Sequence, residues 1–142
     1  MTSNTCEFVV GRLLEIRVAR GYKSVEDVEE MIRMIGASVA RLPGTEKYTI
    51  AADWRAVHLM PPETATRARE MLAHVNPRVV RSAILTLPEE AMTNLQVVRL
   101  VREAQNASRR AFTDAKEMTN WLSEVLSTAE LARLRTFLTA GH

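Results

Sequence analysis

Six apolar residues, Val25, Val28, Ile32, Ile35, Val39 and Leu42, step by three and four along the chain without a miss. That spacing is one face of an α-helix, and such a face must lie on something apolar. Ser24 is a good N-cap, and Asp27 three residues on gives a weaker version of the capping box. Glu26, Asp27, Glu29 and Glu30 crowd the start of the helix, where the macrodipole favours acids. Pro43-Gly44 stops it, so the helix covers about residues 25–42. A coiled-coil seam uses similar spacing, but the pattern ends at Pro43, and packing on a sheet is the better reading.

The flanking segments supply that sheet. Glu7 to Val10 reads as a short strand, and Gly11-Arg12 as a turn. Leu14, Ile16 and Val18 then alternate with Glu15, Arg17 and Ala19 as a half-buried strand ending at Gly21, so the two runs make a hairpin. Tyr48 to Ala52 and Val79 to Leu87 lack alternation, as interior strands do. Between them, after Pro61-Pro62, a helix to about Val75 presents Ala65, Ala68, Leu72 and Val75 on one face. A third helix, from about Met92 to Gln105, is expected to bury Leu95, Val98, Val101 and Ala104. Arg109 to Thr113 is a short strand. Asp114 caps the next helix with Glu117 as reciprocal partner, and Met118, Trp121, Leu122 and Val125 form its apolar face. Ser127 or Thr128 caps a last helix carrying Leu131, Leu134 and Leu138. The order is β-β-α-β-α-β-α-β-α-α, an α/β fold with a mixed, mainly parallel sheet of about five strands. Asp53 and Leu87 then end interior strands on the rim where open α/β sheets carry their sites.

At 142 residues the chain is one domain over 1–142, with 1–5 expected to fray and 127–142 as an extra C-terminal helix. Hydrophobic residues are 46% and charged residues 25%, which excludes disorder as the default; aromatics are only 5%, so aliphatic side chains and methionine fill the core. Net charge is +2, and the six arginines between Arg78 and Arg110 face three glutamates, too weak an excess to favour nucleic acid. The single Cys6 excludes an internal disulfide, and no metal-ligand spacing joins His58, His74 and His142; no cofactor is expected. No signal peptide and no apolar run of spanning length are visible, so a cytoplasmic location is expected.

Three local patterns point further: the hairpin ending in Gly21 before a capped helix, the strand ending in Asp53, and Arg110-Ala111-Phe112-Thr113-Asp114 followed by Trp121-Leu122. In these the chain resembles the SpoIIAA-like, or STAS-like, proteins over about residues 6–126. The resemblance implies a binding or regulatory module without catalytic chemistry. In the anti-sigma-factor antagonist branch, an Asp-x-Ser motif follows the central strand and its serine is phosphorylated. Here the positions are Asp53-Trp54-Arg55, with no serine; Thr64, nine positions on, is the nearest hydroxyl. Another branch of that fold class is associated with lipophilic ligands or membrane surfaces.

Asp53, Trp54, Arg55 and His58 are the candidate site. An imidazole, a carboxylate and a guanidinium on one loop suit binding, and Val57, Leu59 and Met60 add apolar area of the kind found at interface centres. The bland reading has Asp53 accept loop N–H bonds, Arg55 pair with a surface acid and Trp54 cover the helix behind it. The expected function is a non-enzymatic regulatory or scaffold module that contacts a protein partner through this loop and self-associates through the last helix. A small-molecule or lipid-binding domain is the alternative, and it requires an apolar cavity between sheet and helices. An enzyme would need Asp53 and His58 side by side.

Overall fold

The computed structural model describes residues 3–140. Its elements are β1 (Thr5–Phe8), β2 (Leu13–Arg17), α1 (Val25–Ala40), β3 (Tyr48–Asp53), α2 (Pro62–Ala73), β4 (Val79–Leu85), α3 (Ala91–Ala104), β5 (Arg109–Phe112), α4 (Ala115–Ser123) and α5 (Thr128–Ala140). The order is the expected one. The five strands lie side by side in chain order, β1 antiparallel to β2 and the remaining pairs parallel.

Register sorts the side chains into two faces. The lateral rows Leu14–Ile50–Ser82–Arg109 and Ile16–Ala52–Ile84–Ala111 face α1, α2 and α3. Leu13, Ala51, Ala83 and Leu85 face α4 and α5. The α1 signals act as read: the Ser24 hydroxyl accepts from the Asp27 N–H, and the Asp27 carboxylate accepts from the Ser24 N–H. Ser127 and Glu130 form the same reciprocal pair at the start of α5.

Several expectations need correction. The first strand starts at Thr5 instead of Glu7, because Asn4 accepts from the Arg20 N–H and donates to the Gly21 carbonyl, which ties down part of the stretch expected to fray; residues 1 and 2, like His142, lie outside the described range. β2 is buried on both faces and not half-buried, since α5 covers the side on which Glu15 lies. On α3 the buried positions are Thr93, Val97, Leu100 and Ala104, while Leu95 and Val98 are exposed. That helix is apolar nearly all round, so its sequence does not say which stripe turns inward. α2 ends at Ala73 with His74 as C-cap, leaving Val75 in solvent. Asp114 caps α4 through the Lys116 N–H, and the structure gives no return bond from Glu117.

Candidate functional site

The loop after β3 turns its chemistry inward. Trp54 is 2% exposed and sits edge-on to Tyr22, with ring centroids 5.3 Å apart. The buried Asp53 carboxylate accepts from Arg17 Nη1 at 2.6 Å, from Arg55 Nε at 2.9 Å and Nη2 at 3.1 Å, and from the Arg55 N–H at 3.0 Å. Each arginine uses a further N–H on the end of α5: Arg17 Nη2 donates to the Phe137 carbonyl and Arg55 Nη2 to that of Leu138, both at 2.7 Å. The last carbonyls of a helix have no partner within it, and cations are favoured there. Asp53, Arg17 and Arg55 thus form a clamp holding α5 to the sheet.

His58 is not part of this cluster. Its side chain is 74% exposed, and Nδ1 lies 2.9 Å from a Glu90 carboxylate oxygen. Of the four candidate residues, the structure brings together Asp53, Trp54 and Arg55 as core and clamp, and sends His58 to the surface. Thr64 is buried in the first turn of α2. The Cys6 thiol is pushed up to about 11 by burial, which keeps it protonated and a poor nucleophile at neutral pH. Among the described residues, no three His, Cys, Asp or Glu side chains gather as a metal site, and no helix is long and apolar enough to cross a membrane.

A cleft of about 540 Å³ opens on the opposite face of the sheet, between α1 and α2. Its floor is Ile16, Ile50, Ala52, Ser82 and Ile84, and Ile32, Ile35, Gly36 and Val39 of α1 form one wall. The apolar stripe of α1 is only partly covered: Val28 is buried, together with Met31 beside the stripe, Val25 is exposed, and Ile32, Ile35 and Val39 border open space. Small residues make the room. Ala52 and Ser82 lie in the centre of the sheet, and a Cβ added to Gly36 would meet nothing within 4 Å. Arg67 of α2, ion-paired with Glu29 of α1 and Glu70 of its own helix, links the two walls.

One end of the cleft is closed by Trp54 and Tyr22. Tyr22's buried hydroxyl has no hydrogen-bond partner among the described residues, and burial raises its pKa far above the ordinary phenol range. The other end, at the starts of β3, β4 and β5, is polar. The Tyr48 hydroxyl accepts from Asn76 Nδ2 at 3.2 Å, Arg109 Nε donates to the Ser82 hydroxyl at 3.1 Å, and Arg109 Nη1 donates to the Leu72 carbonyl at the end of α2. Volume, apolar lining and a few polar groups at one end are the usual attributes of a small-molecule site. Sequence reasoning passed over these residues, although Gly36 inside the best helix and Ser82 inside a buried strand were its available signals. Comparison of the chain with protein-family models, curated proteins and solved structures finds no match.

Proposed function

We propose that this protein is a non-catalytic binding module that takes a small, mainly apolar molecule into the cleft between α1 and α2. The observation that carries this reading is the cleft itself: about 540 Å³ of space over an aliphatic floor, beside a helix whose apolar stripe is left partly uncovered. Apolar surface left in this way is stabilised at about 25 cal/mol per Å² when a ligand removes it from water. Two features favour binding over catalysis. Asp53 and His58, the one candidate acid–base pair, make no contact with each other, and the Asp53 carboxylate is fully engaged by Arg17 and Arg55. The test is titration with 1-decanol, followed by thermal unfolding and Trp54 fluorescence. Saturable binding is expected, lost in Gly36→Phe, whose ring would fill the open space at that position. No saturation in the wild type, or equal binding by Gly36→Phe, sinks the proposal.

A protein-contact role has separate support. Leu59, Met92, Leu95 and Val98 are all at least half exposed. The His58–Glu90 contact and the two Gln96–Met60 hydrogen bonds hold the Leu59 loop against the first half of α3. Exposed aliphatic groups of this density favour association. This face, and not the last helix, is where self-association or a protein partner would be sought, since Leu134, Phe137 and Leu138 are buried against the sheet. If so, Leu95→Glu shifts the sedimentation coefficient toward the monomer; an unchanged monomer in both proteins removes self-association from this reading.

A further inference from the structure

We infer that the ligand of the cleft is a carboxylate amphiphile, its chain along the aliphatic floor and its carboxylate at Arg109 and Tyr48. The inference rests on the cleft-binding proposal and adds the chemistry of the head.

The first support is charge. Arg67, also on the cleft wall, is neutralised by Glu29 and Glu70. Arg109 has no carboxylate within ion-pairing distance among the described residues; its recorded acceptors are neutral, the Ser82 hydroxyl and the Leu72 carbonyl. The Arg78 guanidinium at the same end likewise donates only to backbone carbonyls, those of Glu46, Leu42 and Pro43. A partly buried guanidinium without an acid carries some desolvation cost, and burial pushes Arg109 down to about 10. The carbonyl of Leu72, near the end of α2, offsets part of that cost through the helix dipole; an anion in the cleft would offset the rest.

The second support is donor geometry. Nε and Nη1 of Arg109 are engaged, and Nη2 has no acceptor among the described residues. The Tyr48 hydroxyl accepts from Asn76, which leaves its own proton free to donate. Arg109 and Tyr48 line the same cleft at its polar end. Two donors suit the two oxygens of a monoanionic carboxylate, with the charge-assisted bond from arginine the stronger. A phosphate monoester would bring more charge and a third oxygen than these two groups satisfy.

The third support is polarity along the cleft. Arg109 shares a lateral row with Ser82 and Ile50. From Ile50 to Trp54 the floor climbs about 13 Å at the rise of a β-strand. The floor along that path, Ile50, Ala52, Ile16 and Ile84, is apolar until the Tyr22 hydroxyl at the closed end, and the charged wall residues Arg67 and Glu70 are paired with each other. Head and tail are thereby assigned.

The experiment compares decanoate, 1-decanol and decyl phosphate at pH 8 by calorimetry, on wild type, Arg109→Met and Tyr48→Phe. Wild type is expected to bind decanoate at least tenfold more tightly than decanol, with decyl phosphate weaker than decanoate. Arg109→Met should abolish the preference for decanoate and leave decanol binding intact. Tyr48→Phe, which keeps the ring, should weaken decanoate several-fold without changing decanol, and it decides the question should Arg109→Met fail to fold. Equal decanoate and decanol binding in wild type, or a preference that survives both substitutions, overturns the head-group assignment while cleft binding stands. Tighter decyl phosphate overturns the carboxylate. Failure of all three probes overturns cleft binding itself.

Discussion

Asp53 is a buried carboxylate held between two arginines. It is 4% exposed, and both of its carboxylate oxygens are taken by guanidinium groups that also reach the carbonyls of Phe137 and Leu138. A buried ion pair adds little over a well-packed apolar substitute, but removing one partner strands the other. Asp53→Ala would leave Arg17 and Arg55 facing only helix carbonyls. We expect a loss of about 3 kcal/mol, read as a lower urea midpoint with an unchanged slope. The figure sits at the low end for stranded buried charges because Arg17 is 22% exposed and recovers part of its hydration. Loss of less than about 1 kcal/mol would class the cluster with surface ion pairs and return Asp53 to candidacy as a functional group. The cost of Asp53→Ala is expected to leave binding of 1-decanol unaltered in the fraction that remains folded, since the carboxylate is on the far side of the sheet from the cleft.

Among the elements, α1 shows both what the sequence discloses and what it hides. Its caps and its limits were legible because they depend on neighbours in the chain: Ser24 and Asp27 complete their bonds within one turn. Its apolar stripe was legible only in part: Val25 is exposed and Met31, outside the stripe as read, is buried, and nothing local said that Ile32, Ile35 and Val39 would border a void, because a void is set by residues from other strands. Ala52 and Ser82, distant in sequence, create it together. α3 fails for a different reason. Met92, Leu95, Val97, Val98, Leu100, Val101 and Ala104 place apolar groups nearly all round, so its rotation follows from contact with α2 and β5 and not from periodicity. The strand ending at Asp53 was legible, but the inward direction of Trp54 depends on its packing against Tyr22, and the engagement of Arg55 depends on the carbonyl of Leu138, 83 residues later. Gly36 offers a test at this scale. Glycine inside a helix costs about 1 kcal/mol relative to alanine, and here an added Cβ meets open space. Gly36→Ala should therefore raise stability by up to about 1 kcal/mol, measured by thermal unfolding, with 1-decanol still bound. A destabilised Gly36→Ala would mean that the cleft closes on Gly36 in solution.

For the molecule as a whole, α5 completes the third layer that α4 begins, covering the β2 side of the sheet's second face. It follows β2 through a line of contacts. Glu130 accepts from the Arg12 N–H at 2.7 Å, Arg133 donates twice to the buried Glu15 carboxylate, and the Phe137 carbonyl accepts from Arg17. Between these anchors Leu134, Phe137 and Leu138 are buried against the sheet in one cluster with Leu13, Ala51 and Leu85. Read from sequence as an extra helix, it is integral to the core. Burial of those three side chains stabilises the fold by roughly 1.5–3 kcal/mol each, against a total of about 5–15 kcal/mol for a domain. Removing α5 also uncovers the part of the sheet that carries the carboxylates of Glu15 and Asp53, the first with its partner deleted and the second with its arginines released from the helix end. Truncation after Leu126 is therefore expected to abolish cooperative thermal unfolding and the binding of every cleft ligand together. Arg133→Met, which keeps the helix and strands only Glu15, should lower stability by about 3 kcal/mol and retain both cooperativity and binding. A truncated chain that still unfolds in one sharp transition would make α5 an accessory, and the clamp at Asp53 would then need another explanation.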